Sequence, residues 1–246
     1  ANPPFCENSE PNSCPNLLLL NPVQLSSADK VRKEKMTTAK HLILLGDSVF
    51  DNGIYVDPGQ ADVTDHLKRK VGPKGWSVDV RAVDGHVTSS IEHQLNKEPI
   101  SKPCTFILSV GGNDALGHVG LLEDTTSSQS VVSVLTRFGQ IKENFRRQYV
   151  HALDVILEHG QPLIVCTIYN PDFPEPDFQK LAETALSFFN DVITEEALRR
   201  SVPIIDLREV CSDPTAFANP IEPSEIGGDL ITDAIVSFLT NRDAPV

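Results

Sequence analysis

Short apolar runs alternate with helix-patterned segments from His41 onward, and this alternation restricts the fold more than any other feature of the chain. The predicted strands cover residues 42–45, 77–83, 104–110, 163–168 and 204–207. The predicted helices cover residues 61–71, 88–97, 131–159, 178–200 and 225–239, with a break expected near Gly139. Five strands that are each followed by a helix favour a parallel sheet with helices on both faces. An α/β domain is therefore predicted.

Polar segments that contain glycine follow the first three predicted strands. They are Gly46-Asp47-Ser48, Asp84-Gly85-His86 and Gly111-Gly112-Asn113-Asp114. Each one taken alone is typical of an ordinary turn, because glycine, aspartate and asparagine favour turns. Ligands of parallel α/β sheets, however, bind beyond the carboxyl ends of the strands. Three such segments at the carboxyl edge of one sheet therefore indicate a single crevice.

The first and third of these segments resemble the sequence blocks of the SGNH, or GDSL-like, hydrolase family. The first block is matched by Leu45 to Gly53, the second by Gly85 and the third by residues 111–114. The resemblance extends over about residues 41 to 240. It implies a flavodoxin-like three-layer α/β/α sandwich and the hydrolysis of esters, including esters of lipids and acylated sugars.

The resemblance also implies a role for each matched residue. Ser48 would be the nucleophile, and the oxyanion donors would be the N–H groups of Ser48 and Gly85 and the side-chain amide of Asn113. Such donors act when they point to where charge develops. Asp47 and Asp114 are interpreted as hydrogen bonders that fix loops. Asp47, His86, His118 and Asn219 are expected to line the substrate site.

The fourth block departs from the family pattern, which is Asp-x-x-His just before the last helix. Here Asn219 stands in the place of the acid and Glu222 in the place of the base, and no histidine follows His159. Three interpretations remain open at this point. Glu222 acts as a substitute base, or His86 or His118 reaches Ser48 from another loop, or the protein binds an acyl or glycan ligand without turnover.

Each of these side chains also has an interpretation that needs no catalysis. Glu222 precedes the final helix, where a carboxylate is favoured by the helix dipole. His86 and His118 could be exposed or could cap loops. The other histidines, at positions 41, 66, 93, 151 and 159, are interpreted as structural or solvated, and Trp76 and the Phe188-Phe189 pair as core residues.

Charge and motifs exclude several classes of function. The formal net charge of -13 disfavours nucleic acid and anionic membranes as partners. No apolar run approaches the roughly 20 residues that span a bilayer. The chain has no GxGxxG, Walker-type or CxxC motif, so no cofactor and no metal site are expected. The expected partner is a small-molecule ester.

The first 35 residues differ from the rest in composition. Ala1 to Pro22 is rich in proline, asparagine and serine, and Met36 is the single methionine. We hypothesise that residues 1–35 are an N-terminal extension or added leader and that residues 36–246 form the hydrolase-like domain. Alternatively, a native arm packs on the domain through Leu17 to Leu20. An odd number of cysteines favours reduced thiols and a cytoplasmic protein, although Cys6 and Cys14 could pair.

Overall fold

The structure is a computed structural model that describes residues 40–123 and 130–241. The predictions for residues 1–35, including Leu17 to Leu20 and the pairing of Cys6 with Cys14, and the prediction for Met36 lie outside the described residues. The other cysteines, Cys104, Cys166 and Cys211, are buried free thiols. No helix in the two described ranges is both long enough and apolar enough to cross a bilayer.

A five-stranded parallel sheet lies at the centre of the described residues, as the alternating pattern predicts. Its strands are His41–Gly46 (β1), Ser77–Val80 (β2), Thr105–Ser109 (β3), Leu163–Cys166 (β4) and Ile204–Ile205 (β5). Their order in the sheet is β2-β1-β3-β4-β5. In the register, Leu42 lies opposite Val78 on one side and Thr105 on the other. Because all five strands are parallel, their carboxyl ends lie at the same edge of the sheet.

Helices cover both faces of the sheet, which confirms the three-layer α/β/α architecture. They are Val63–Val71 (α1), Ile91–Asn96 (α2), Gly112–Leu116 (α3), Gly120–Glu123 (α4), Val131–Leu157 (α5), Pro176–Arg199 (α6), Leu207–Val210 (α7) and Glu225–Asn241 (α8). Short 3₁₀ turns lie at Gly72–Lys74, Thr88–Ser90 and Pro214–Ala216. A two-stranded antiparallel hairpin, Phe217–Asn219 (β6) and Glu222–Pro223 (β7), precedes the last helix.

Successive residues of β1 face opposite layers, because side chains alternate along a strand. Leu42 and Leu44 pack in a core with α1 and α8, whereas Ile43 and Leu45 pack in a second core with α2, α5 and α6. Burial on both faces explains why this strand is a continuous apolar run in the sequence.

The elements differ from the sequence predictions at several boundaries. The second strand ends at Val80 rather than residue 83, because the N–H groups of Arg81 and Ala82 both donate to Leu44 O and break the regular ladder. Helix α5 continues through Gly139 without the expected break. A single glycine costs a helix only about 1 kcal/mol, and the residues after it pack into the core. Helix α6 begins at Pro176 rather than at residue 178, because proline is favoured at the first position of a helix.

A close backbone approach fixes the end of β1. Gly46 has a φ of +138°, and a Cβ atom there would lie 1.8 Å from Ser109 O of β3. The next residue, Asp47, donates its N–H to the same carbonyl at 3.2 Å. From the other side, the Gln94 side chain accepts from Gly46 N at 2.9 Å and donates to Gly46 O at 2.7 Å. Only glycine fits this position.

We expect Gly46→Ala to lower the free energy of unfolding by on the order of 3 kcal/mol or more, because a backbone clash adds to an unfavourable φ. Chemical denaturation measures this change. Gly139→Ala is the matched control, since Gly139 lies within α5 and a Cβ there meets nothing within 4 Å. Equal stabilities of the two variants would contradict the proposed constraint.

Candidate active site

Ser48 lies in the turn that directly follows β1. The turn is held by Phe50 N and Asp51 N, which both donate to Asp47 O. The Ser48 side chain is largely buried, and its hydroxyl lines a cavity at the carboxyl edge of the sheet. The sequence prediction that Ser48 follows the first strand is confirmed by the position of β1.

The Ser48 hydroxyl donates a hydrogen bond to a carboxylate from the far end of the chain. The distance from Ser48 Oγ to Glu222 Oε1 is 3.1 Å, although 174 positions separate the two residues. Glu222 is 6% exposed, and its second oxygen, Oε2, has no hydrogen-bond partner among the described residues. The glutamate in the place of the family's base thus lies at Ser48, and its second oxygen is buried.

Burial raises the pKa of Glu222 to about 7, because desolvation disfavours its charged form. The negative charge of Asp84 raises this pKa as well, whereas the hydrogen bond from Ser48 lowers it. An ordinary glutamate has a pKa near 4.3. At neutral pH, Glu222 is therefore present in both its ionised and its protonated forms, which suits a group that must take and return a proton.

The hairpin β6–β7 positions Glu222. Asn219 Oδ1 accepts hydrogen bonds from Ile221 N at 3.0 Å and Glu222 N at 3.1 Å, so this side chain is engaged in the turn. Asn52 connects the nucleophile loop to the hairpin, since its Nδ2 donates to Pro223 O at 3.1 Å. Asn52 Oδ1 also accepts from Val63 N at the start of α1. These bonds hold the carboxylate against Ser48.

The second and third blocks meet each other, and the third shares a cavity with Ser48. Asn113 Nδ2 donates to His86 O at 3.0 Å, which places the Asn113 side chain next to the segment that carries Gly85. Asn113 and Ser48 line the same cavity. Gly85 has a φ of +77° and is exposed, and a Cβ there would meet nothing within 4 Å. Gly85 itself is not among the residues that line the cavity.

The two candidate histidines do not hydrogen-bond to Ser48 in the described ranges. His86 Nδ1 is 2.9 Å from Gln94 Nε2, the same amide nitrogen that donates to Gly46 O. His118 lines the cavity but is mostly exposed. The hydroxyl of Ser48 is instead bonded to Glu222, so the geometry favours the carboxylate over either imidazole as its partner.

Two aspartates fix the loops around the site. Asp47 Oδ1 accepts from Val49 N at 3.2 Å, and Asp114 Oδ2 accepts from both Thr88 N and Thr88 Oγ1 at 2.9 Å. Burial raises the pKa of Asp47 to about 7, and the charges of Glu222 and Asp114 raise it too. Asp47 also lines the cavity.

The cavity opens to solvent and has a volume of about 100 Å³. Its polar side chains include Ser48 from the turn after β1, Asn113 from α3, His118 from the segment between α3 and α4, and Glu222 from the hairpin. The lining residues of α5 and α6 are apolar, as are the other lining residues of the segment that contains α3 and α4. They include Leu116, Val119, Leu122, Phe138, Ile141, Phe178, Ala182, Ala185, Leu186 and Phe189.

The sequence interpretation missed this apolar wall. Phe189 was interpreted as a core residue and does belong to the core, but it also lines the cavity. Phe188 packs against Phe138, with ring centroids 5.4 Å apart, and Trp76 packs at the margin of the core. The usable signal was the three-to-four-residue spacing of apolar side chains from Phe178 to Phe189, although this spacing is also typical of any buried helix face.

No group of three or more histidine, cysteine, aspartate or glutamate side chains in the described ranges is arranged to hold a metal ion.

The fold has close counterparts among solved structures. A lipase/acylhydrolase from Enterococcus faecalis is 21% identical, with a TM-score of 0.58 over 82% of this chain and 96% of the other. A phospholipase A1 from Streptomyces albidoflavus is 18% identical, with a TM-score of 0.57 over 81% and 99%. An acetylxylan esterase from Geobacillus stearothermophilus is 16% identical, with a TM-score of 0.54 over 81% and 93%. At these identities the likeness shows the fold alone.

Sequence comparison identifies the family. No curated protein matches the chain significantly. The model of the GDSL-like lipase/acylhydrolase family, however, matches residues 44–226, which is well over half of the chain and includes Ser48, Asn113 and Glu222. With the α/β/α fold and the matching sequence blocks, this shows that the chain belongs to the GDSL-like lipase/acylhydrolase family.

Proposed function

We propose that the protein hydrolyses carboxylic esters, with Ser48 as nucleophile and Glu222 as general base. The observation that carries this proposal is the 3.1 Å hydrogen bond from Ser48 Oγ to Glu222 Oε1 at the wall of an apolar cavity. A serine hydroxyl is a weak nucleophile until an adjacent base takes its proton. Family membership supports the same reaction class.

In the first half of the reaction, Glu222 Oε1 takes the Ser48 proton as Ser48 Oγ bonds to the ester carbonyl carbon. The carbonyl oxygen becomes an oxyanion. The carbon–oxygen bond to the alcohol then breaks, and the leaving oxygen receives the proton from Glu222. The products of this half are the free alcohol and an acyl ester on Ser48.

In the second half, water takes the place of the alcohol. Glu222 accepts a proton from the water as the water oxygen bonds to the acyl carbon. When the bond between the acyl carbon and Ser48 Oγ breaks, Glu222 returns the proton to Ser48 Oγ and the carboxylic acid is released. The 3.1 Å contact between Glu222 Oε1 and Ser48 Oγ supports this step, because the same carboxylate oxygen can hold the proton and return it to the serine.

The oxyanion donors we propose are Ser48 N–H, Gly85 N–H and the Asn113 amide. Asn113 Nδ2 carries two hydrogens, and its bond to His86 O uses one of them. Gly85 N–H lies on a segment with open space around its α-carbon, which suits a close approach by substrate. Loss of one such donor typically costs about 10²–10³ in rate.

The raised pKa of Glu222 answers the main objection to a carboxylate base. A glutamate near pKa 4.3 would be too weak a base for a serine hydroxyl. Burial raises the pKa of Glu222 to about 7, close to the value of an imidazole. We therefore assign the base to Glu222 and place His86, His118, Asp47 and Asn219 as supporting residues of the site.

We expect Ser48→Ala to lower turnover of a nitrophenyl ester by about 10³-fold or more, because the nucleophile is removed. Steady-state absorbance assays measure this change, with Ser101→Ala on the surface as the control. A fluorophosphonate should add its mass to the wild type and not to Ser48→Ala. Equal rates in the two proteins, without labelling, would instead favour a ligand-binding protein without turnover.

Glu222→Gln should lower kcat by about 10²–10⁴-fold, since the amide keeps the shape but cannot accept the proton. The control is Glu225→Gln, which changes a carboxylate three positions away at the start of α8. Circular dichroism should show both variants folded. A Glu222→Gln protein with the wild-type kcat would rule out the proposed base.

The pH dependence of kcat/KM should report the ionisation of Glu222. Because the base must be ionised, activity should fall about tenfold per pH unit below a pKa of about 7 and level off above it. Asp84→Asn removes a negative charge that raises this pKa, so the falling limb should move to lower pH. Both the falling limb and its shift are measured from hydrolysis rates at each pH, after the rate of the Ser48→Ala protein is subtracted as background. A limb near pH 4 would contradict a buried base.

A further inference from the structure

We propose that the cavity binds a long, unbranched acyl chain, and that Ala182 and Ala185 of α6 set the chain length the protein accepts. This inference rests on the proposed function only for the position of the reacting carbonyl, which it places at Ser48. It separates this chain from esterases that act on short acyl groups, a distinction that family membership leaves open.

Polarity is distributed unevenly in the cavity. The side chains that can bond to an ester group, Ser48, Asn113 and Glu222, come from the carboxyl edge of the sheet and the hairpin. By contrast, the lining residues of α5 and α6 all have apolar side chains. A ligand with one polar group and a long apolar body matches this arrangement, whereas a sugar would leave its hydroxyls unpaired against these walls.

Helix α6 gives one wall its length. The residues that line the cavity, Phe178, Ala182, Ala185, Leu186 and Phe189, recur every three or four positions and so lie on one helix face. At a rise of 1.5 Å per residue, this face extends about 16 Å. Phenylalanines stand at its two ends and alanines in its middle. The small alanine side chains leave space that a larger residue would fill.

The facing wall comes from α5, through Phe138 and Ile141. The two helices are joined beyond the cavity by ion pairs, because Arg146 Nη2 lies 2.7 Å from Glu195 Oε2 and Lys142 bonds to Asp191. These pairs contact residues 191–196 of α6, after the last lining residue, Phe189. The helices are thus held together at one end, and the apolar space lies between their other ends.

An acetyl group would fill little of this space. Each methylene buried contributes about 0.8 kcal/mol, which is a factor of about four in binding. An octanoyl chain has several more methylenes than an acetyl group, so its ester should react with a kcat/KM at least about 100-fold higher.

The test compares nitrophenyl acetate, octanoate and palmitate as substrates. We expect the wild type to prefer octanoate or palmitate over acetate by about 100-fold in kcat/KM. Ala185→Phe should lower kcat/KM for the long esters by about tenfold or more and change the acetate value by less than about twofold. The control is Ser187→Phe, which adds the same ring on the exposed side of the helix. A wild type that prefers acetate would overturn the proposal.

A binding measurement separates the acyl site from turnover. Calorimetry on Ser48→Ala should detect methyl octyl ketone but not acetone, and Ala185→Phe in the same background should weaken the ketone's binding while Ser187→Phe should not. If Ser48 proves unnecessary for hydrolysis but this pattern holds, the proposed function fails and the acyl site stands. Equal ketone binding in all three proteins overturns the acyl site whatever the assays show.

Discussion

The contact between Gly46 and Ser109 O is the constraint on which the site depends. It brings the ends of β1 and β3 closer together than any side chain at position 46 would allow. The chain leaves β1 through this contact, and Asp47 N–H then bonds to the same carbonyl. Ser48 is therefore presented at the sheet edge, on a loop whose neighbour carries Asn113. Gln94 of α2 holds Gly46 in this position, because its side chain bonds to both the N–H and the carbonyl oxygen of Gly46.

The hairpin before α8 completes the site across a long sequence separation. Its position is fixed by Asn52, which follows the nucleophile turn and bonds to Pro223 O, and by Tyr169, whose hydroxyl donates to Ile221 O at 2.7 Å. Buried polar side chains that bond across elements in this way hold a geometry because any displacement leaves them unpaired. The Glu222 carboxylate is thus held at Ser48 by the hydrogen bonds of Ile221 and Pro223 as well as by its own hydrogen bond.

Much of the fold could be predicted from the sequence, because a strand buried on both faces is a continuous apolar run and a covering helix has an apolar stripe. The motifs at residues 46–48 and 111–114 likewise indicated where the site lies. The hairpin at residues 217–223 could not be predicted, since its strands are two or three residues long. The cavity could not be predicted either. Whether Ala185 faces a core or an empty space depends on how far α5 lies from α6, and that distance is set by tertiary contacts.

The presence of Asn219 alongside Glu222 has an electrostatic consequence. When an imidazole takes the serine proton, a cation and an oxyanion form together, and an aspartate behind the ring stabilises that cation. In the reaction proposed above, Glu222 becomes neutral when it takes the proton, so one negative charge moves from the carboxyl to the carbonyl oxygen and no cation arises. An aspartate at position 219 would then have no positive charge to offset and would repel the ionised Glu222. The neutral amide, which binds only the backbone of its own turn, is compatible with a reaction in which the number of charges stays constant.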